Sequence, residues 1–169
     1  MDATSQGEST FVRNGATVER KSERELVVSR TVRGPARIVY EAWTRPELLE
    51  RWWTPESFPI KLLSCEMDAR VGGTYRLLFG YEGSTFEFFG RYLEVTLHSR
   101  LVWTNDEGEG ETITTVSFEE TAGTTRLVVH DQYPSKEALD GAIASGSTSG
   151  MPESLEQLDE LVVSLGASV

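Results

Sequence analysis

The chain has 169 residues, 38% of them hydrophobic and 25% charged, which suits one soluble globular domain with a core large enough to need no staples. A formal net charge of −11 argues against a nucleic-acid footprint or an anionic membrane surface. Cys65 is the only cysteine, which excludes an intramolecular disulfide and a zinc site of ordinary cysteine count and points to a reducing compartment.

The first residues, MDATSQGESTFVRNGATVER, lack the apolar core of a secretory leader, and no apolar run is long enough to span a bilayer. A cytoplasmic protein without membrane insertion is expected, with residues 1–22 a disordered tail and residues 23–169 the folded domain. Glu25 to Arg33, ELVVSRTVR, reads as a first strand in which Leu26, Val28 and Val32 share one face with Arg30,. A charge on an apolar face has two readings: Arg30 pairs with a buried carboxylate, or it projects into a cavity and meets an anionic group of a ligand.

Pro35 to Phe58 holds three of the four tryptophans. Ile38, Val39, Ala42 and Trp43 recur at helical spacing, Pro46 ends that helix, and Leu48, Leu49, Trp52 and Trp53 repeat the spacing until Pro55 and Pro59 stop it. Two adjacent tryptophans cannot both point straight into one core. Either one faces the core and the other a cleft, or both line a pocket.

Ile60 to Ala69 is a second strand, Val71-Gly72-Gly73 a tight turn, and Thr74 to Phe79 a third strand with Tyr75, Leu77 and Phe79 on one side,. In FEFFGRYLEV, Phe86, Phe88, Gly90 and Tyr92 face one way and Phe89, Leu93 and Val95 the other. Gly90 marks a bulge, a bend or a close backbone approach. Leu101 to Thr104, Thr112 to Phe118 and Thr124 to Tyr133 complete about seven antiparallel strands. The acidic tip Asp106, Glu107, Glu109 and Glu111 reads as a solvated loop, since it lacks the spacing of a calcium site. Ser135 to Ala144 is a short helix, Ser145 to Gly150 a flexible link, and Pro152 to Leu165 an amphipathic helix. Its apolar stripe is Leu155, Leu158, Leu161, Val162 and Leu165, extended by Met151, with Glu153, Glu156, Asp159 and Glu160 on the other face,. The order is α+β: a curved antiparallel sheet, interrupted by two short helices after its first strand, gripping a long C-terminal helix, with room for a cavity between them.

The runs ARIVYEAWTRPELLERWWTPESF, CEMDARVGGTYR, FGRYLEVTLHSRLVWT, TTRLVVHDQY and GMPESLEQLDEL, in that order from about Glu23 to Leu165, resemble the bacterial homologues of the activator of the heat-shock-protein-90 ATPase, within the START-like (SRPBCC, Bet v-like) superfamily. The resemblance implies a helix-grip fold with a hydrophobic cavity, and a lipid, sterol, polyketide or aromatic compound as ligand. Carried onto this chain, the cavity wall is Trp53, Phe58, Tyr75, Phe79, Phe88, Trp103, His130, Tyr133, Met151 and Leu155. Asp68, Arg70, Gly72 and Gly73 match the family's turn motif, a structural feature. The eukaryotic activator has a further chaperone-binding domain for which this chain has no room, so co-chaperone activity is not expected.

For catalysis the chain offers Cys65, His98, His130 and many serines, without a GxSxG elbow or a cysteine–histidine signature. Two distant histidines make no metal site, no phosphate loop is present, and no cofactor is expected. His130, beside Asp131 and Tyr133 at the end of the last strand, is a candidate acid or base. By alternation Leu127, Val129 and Asp131 share one face and His130 the other, so only one of the pair faces a pocket. An aromatic stripe is commonly plain core. Here Trp52, Trp53, Phe58, Tyr75, Phe79, Phe86, Phe88, Phe89, Tyr92 and Trp103 are more rings than one sheet and one covering helix need. The first reading is therefore a non-enzymatic carrier of a hydrophobic small molecule. The alternatives are a cyclase or hydrolase using Arg30, His130, Asp131 or Tyr133, and an interaction module with a chaperone, regulatory or homodimer partner.

Overall fold

The computed structural model describes residues 10–106, 110–146 and 148–167. Alternating apolar and polar residues build nine strands: β1 (Thr10–Arg13), β2 (Ala16–Arg20), β3 (Glu25–Val32), β4 (Lys61–Met67), β5 (Thr74–Tyr81), β6 (Ser84–Thr96), β7 (Arg100–Asn105), β8 (Thr112–Thr121) and β9 (Thr124–Gln132). They form one curved antiparallel sheet in the order β1-β2-β3-β9-β8-β7-β6-β5-β4. Helices α1 (Ala36–Thr44) and α2 (Pro46–Leu49) follow β3, and α3 (Lys136–Ser145) and α4 (Met151–Ala167) close the chain. Helix α4 packs on β3, β2 and α1, burying Leu155, Leu158, Leu161 and Val162. This is the α+β helix-grip arrangement expected, and no helix among the described residues is long and apolar enough to cross a membrane.

The N-terminal stretch differs from the expected tail. Residues 10–20 form a hairpin that adds two strands to the expected seven, through Asn14-Gly15, whose φ values of 52° and 78° are those of the tight turn that Asn-Gly favours. Ala16 and Val18 are buried under the sheet edge, and β2 pairs with β3 from Arg20↔Leu26 to Thr17↔Ser29. Residues 1–9 lie outside the described part, as do residues 107–109 of the acidic tip; Asp106 and Glu111, flanking that tip, both pair with Arg91.

Helix α3 is capped at both ends, the Ser135 hydroxyl accepting from Ala138 N at 3.0 Å and Gly146 adopting φ 83°,. Gly90 marks a close approach: a Cβ there would sit 1.9 Å from the Thr104 carbonyl oxygen, in the stretch where β6 and β7 shift register between Tyr92 and Glu94. Both partners are backbone and cannot rotate away. Gly90→Ala is expected to cost about 1–3 kcal/mol, read as a lower denaturation midpoint; an unchanged midpoint would mean that the strands separate freely at this point.

Asp159 is the exception to the polar face expected for α4. It is only 1% exposed, held by Arg30 and Arg33. The structural reading of Arg30 is therefore the one realised.

Candidate functional site: the cavity between sheet and C-terminal helix

The register across the sheet sets the floor of the site. Tyr92 lies opposite Trp103, Trp103 opposite Thr114, Thr114 opposite Asp131 and Asp131 opposite Leu26. Residues directly opposite in an antiparallel ladder project to the same face, so this row crosses five strands on the concave side.

Above the row lies a cavity of about 270 Å³, walled by Leu26, Val28, Trp53, Pro55, Phe58, Ile60, Phe79, Phe86, Phe88, Tyr133 and Met151, with Thr54, Asp131, Thr148, Gly150 and Ser154 as further lining. A smaller space of about 40 Å³ adjoins it across Trp53 and Phe88, between Trp43, Leu49, Met67, Tyr75, Leu77, Tyr92, Trp103 and Asn105. Phe79, Phe86 and Phe88 form a cluster with ring centroids 5.2–5.8 Å apart.

The neighbouring tryptophans divide as the first of the two sequence alternatives has it. Trp52 is fully buried and donates Nε1–H to the Ala42 carbonyl at 3.0 Å, while Trp53 is half-buried and faces both spaces. The wall carrying Trp53 and Phe58 is irregular backbone, and α4 fastens it. Gln157 Nε2 donates to the carbonyls of Trp52 and Thr54, Ser154 Oγ to that of Trp53, and Glu153 accepts from Ser57 N. Helix α4 is thus both the roof of the cavity and the clamp of its side wall.

Of the residues singled out from the sequence, Trp53, Phe58, Phe79, Phe88, Tyr133 and Met151 line the larger space, and Tyr75 and Trp103 the smaller one. Three do not. Arg30 is turned to Asp159 on α4 and to the Asn14 carbonyl. His130 lies on the convex face, its Nε2 2.7 Å from Glu25 Oε2, because strand alternation gives the concave position to Asp131. Leu155 is wholly buried in the core beneath α4 rather than on the cavity wall. Cys65 is half-buried, and burial pushes its thiol up to about 11, the direction that lowers its thiolate fraction. His98 is half-buried against the Tyr40 ring.

Polar chemistry on the floor converges on Asp131. The Tyr75 hydroxyl lies 2.7 Å from the Thr104 carbonyl and 2.9 Å from Asn105 Oδ1. Asn105 Nδ2 donates to Thr114 Oγ1 at 2.9 Å, and Thr114 Oγ1 donates to Asp131 Oδ1 at 2.5 Å. Burial pushes the Asp131 carboxyl up to about 6, against the opposing pulls of the Thr114 hydrogen bond and the His130 charge,. Tyr133 is pushed up by burial first and by the Asp131 charge second. Asp131 is marked in the sequence as the charged member of an inward alternation, but Asn105 and Thr114 carry no such mark; only the strand register brings them into line.

A family model described as activator of Hsp90 ATPase homolog 1-like protein matches residues 33–163. The chain belongs to this family. Solved structures agree with the assignment. A protein of Rhodobacter sphaeroides is 25% identical with a TM-score of 0.80, over 89% of this chain and 99% of that one. One from Nitrosomonas europaea is 26% identical with a TM-score of 0.77, over 86% and 97%, and one from Chromobacterium violaceum is 32% identical with a TM-score of 0.69, over 82% and 97%. A comparison with curated proteins finds no match. In this family member, residues 33–163 span from the end of β3 through most of α4, so the N-terminal hairpin falls outside the matched region.

Proposed function

We propose that the protein binds a small, mainly apolar molecule in the cavity between its sheet and α4. The observation that carries this reading is the cavity itself: about 270 Å³ with a wall dominated by aromatic and aliphatic side chains. The volume sits at the small end of ligand pockets. Burial of roughly ten methylene equivalents at about 0.8 kcal/mol each corresponds to micromolar affinity before ordering costs. Thr148 and Gly150, before α4, form part of the lining.

Titration with an uncharged naphthalene fluorophore tests the reading. Trp53→Ala and Phe79→Ala are each expected to weaken binding by roughly tenfold or more, the equivalent of about two buried methylenes. Affinity unchanged in both variants would overturn the assignment. Native mass spectrometry before and after organic extraction would give the mass of a retained ligand.

One observation favours a second reading, a hydrolase or cyclase acting on an aromatic or polyketide-like substrate. Asp131 lies on the cavity wall with its carboxyl raised to about 6, the range in which a general acid or base works near neutral pH. Chemical conversion of a bound compound, lost in Asp131→Asn, separates this reading from plain carriage.

A further inference from the structure

The fold contains two inward carboxylates with opposite surroundings. Asp159 accepts from the Arg33 backbone N–H and from the guanidinium groups of Arg33 and Arg30. Asp131 accepts from one neutral hydroxyl, that of Thr114, and among the described residues no lysine or arginine side chain lines its cavity. Asp131 is half-buried, and a carboxylate partly withdrawn from water with no cation beside it is costly, so Asp131 is the place on the cavity wall that lacks a partner.

The neighbouring hydrogen bonds fix which part of Asp131 is free. Asn105 donates to Thr114 Oγ1, which commits the Thr114 hydroxyl hydrogen to Asp131 Oδ1. Asn105 is in turn placed by its own donation to the Thr112 carbonyl, with the Tyr75 hydroxyl 2.9 Å from its Oδ1. Oδ1 is therefore engaged, and the other carboxyl oxygen is the acceptor available to a molecule in the cavity. The surrounding aromatic side chains of Trp53, Phe58, Phe79 and Phe88 suit a cation, which ring faces attract. Thr54 Oγ1, on the same lining, is buried without a hydrogen-bond partner among the described residues.

Resting on the cavity-binding reading, we propose that the occupant is an apolar molecule carrying a protonated amine, anchored by an ion pair with Asp131 and enclosed by the aromatic wall. Neutral hydrocarbons of the same shape fill the space without the anchor, and carboxylates are repelled by it.

The pH response follows from the groups around Asp131. From β9 these are Asp131 itself and, beyond the strand end, Tyr133, which stays neutral; His130 is on the opposite face with Glu25. The cavity residues supplied by β3 are Leu26 and Val28, those by α4 Met151 and Ser154, and Thr114 on β8 is the hydroxyl donor. Of the groups that line the cavity only Asp131 changes charge between mildly acidic and neutral pH, with the charge of His130 acting on it from the opposite face, and an alkylamine stays protonated throughout.

The test uses the full chain, tryptophan fluorescence and three probes with one skeleton: phenylpropylamine, phenylpropanol and propylbenzene. At about pH 7.5 the amine is expected to bind roughly tenfold more tightly than the alcohol, the usual margin of a charge-assisted over a neutral partner. That preference is expected to fall towards unity at about pH 5, where Asp131 is protonated, and to disappear in Asp131→Asn while alcohol binding remains. If the variant does not fold, the pH titration of the native chain decides. Equal binding of all three probes, or an amine preference that survives both the substitution and acid, overturns the amine anchor and leaves the cavity reading standing. Failure of all three to bind overturns both.

Discussion

Asp159→Asn is expected to destabilise the protein by about 3–5 kcal/mol, the cost of breaking a buried ion pair from one side. The carboxylate is 1% exposed, with Oδ1 accepting from Arg33 N at 2.9 Å and Oδ2 from Arg33 Nη2 at 2.7 Å and Arg30 Nη2 at 3.3 Å. Removing its charge leaves the Arg30 cation, whose side chain is only 14% exposed, with neutral acceptors such as the Asn14 carbonyl and its Nε already without a partner among the described residues. The substitution thus strands a cation between β3, the N-terminal hairpin and α4. The measurement is urea denaturation: a lower midpoint at unchanged slope. A loss below about 1 kcal/mol, the scale of a surface pair, would mean that the apolar stripe alone holds α4.

The same group sets an acid limit. Burial raises the Asp159 carboxyl, but the hydrogen bonds from Arg33 and the charges of Arg30 and Arg33 outweigh it and hold the folded value below that of an ordinary aspartate. A depressed folded value means that the contribution is fully present above the unfolded value, about 4, and is lost as pH falls through the folded one. The Asp159→Asn protein should lack this part of the acid sensitivity, so the two stability curves converge below about pH 4.

How far the sequence revealed these features depended on whether the signal was local. The alternation in Tyr75, Leu77 and Phe79, the Pro46 break and the α4 stripe depend on side chains a few positions apart, and each element forms where its pattern lies. The hairpin at residues 10–20 was equally local, through Asn14-Gly15 between alternating residues, but it is embedded in polar sequence and its burial comes from pairing with β3. Asp159 could not be placed by periodicity. It belongs with the charged residues of α4 by composition, and only Arg30 of β3 and Arg33 just beyond it, 126–129 positions away, make its burial tolerable. His130 and Asp131 show the middle case: alternation separates them, but choosing the inward one requires knowing that Asp131 stands opposite Thr114 and Leu26. The polar row from Tyr75 to Asp131 is a property of strand register and of nothing shorter in range.

Trp52 and Trp53 offer the cleanest separation of core from cavity, since the two residues are chemically identical and adjacent. Trp52→Ala is expected to cost about 3–5 kcal/mol, because its ring is fully buried, packs 4.8 Å from Trp43 and supplies a hydrogen bond to Ala42. In a domain of this size that corresponds to a fall in Tm of roughly 6–20 °C. Trp53→Ala removes a half-buried ring from between two existing spaces, so its stability cost should lie in the ordinary range of about 0.5–3 kcal/mol, while its effect on binding is the larger of the two measured per unit of stability lost. Thermal melts read one half of the contrast and fluorophore titration the other. Equal melting losses would mean that the two rings share one packed environment, and the opening between sheet and helix would then be a fault in packing rather than a place for a ligand. Unequal losses, with binding following Trp53, connect the sequence to the function. A four-residue α2 that ends at Leu49, followed by irregular backbone whose carbonyls Gln157 and Ser154 of α4 clamp, turns one tryptophan into the core and leaves the next for the cavity.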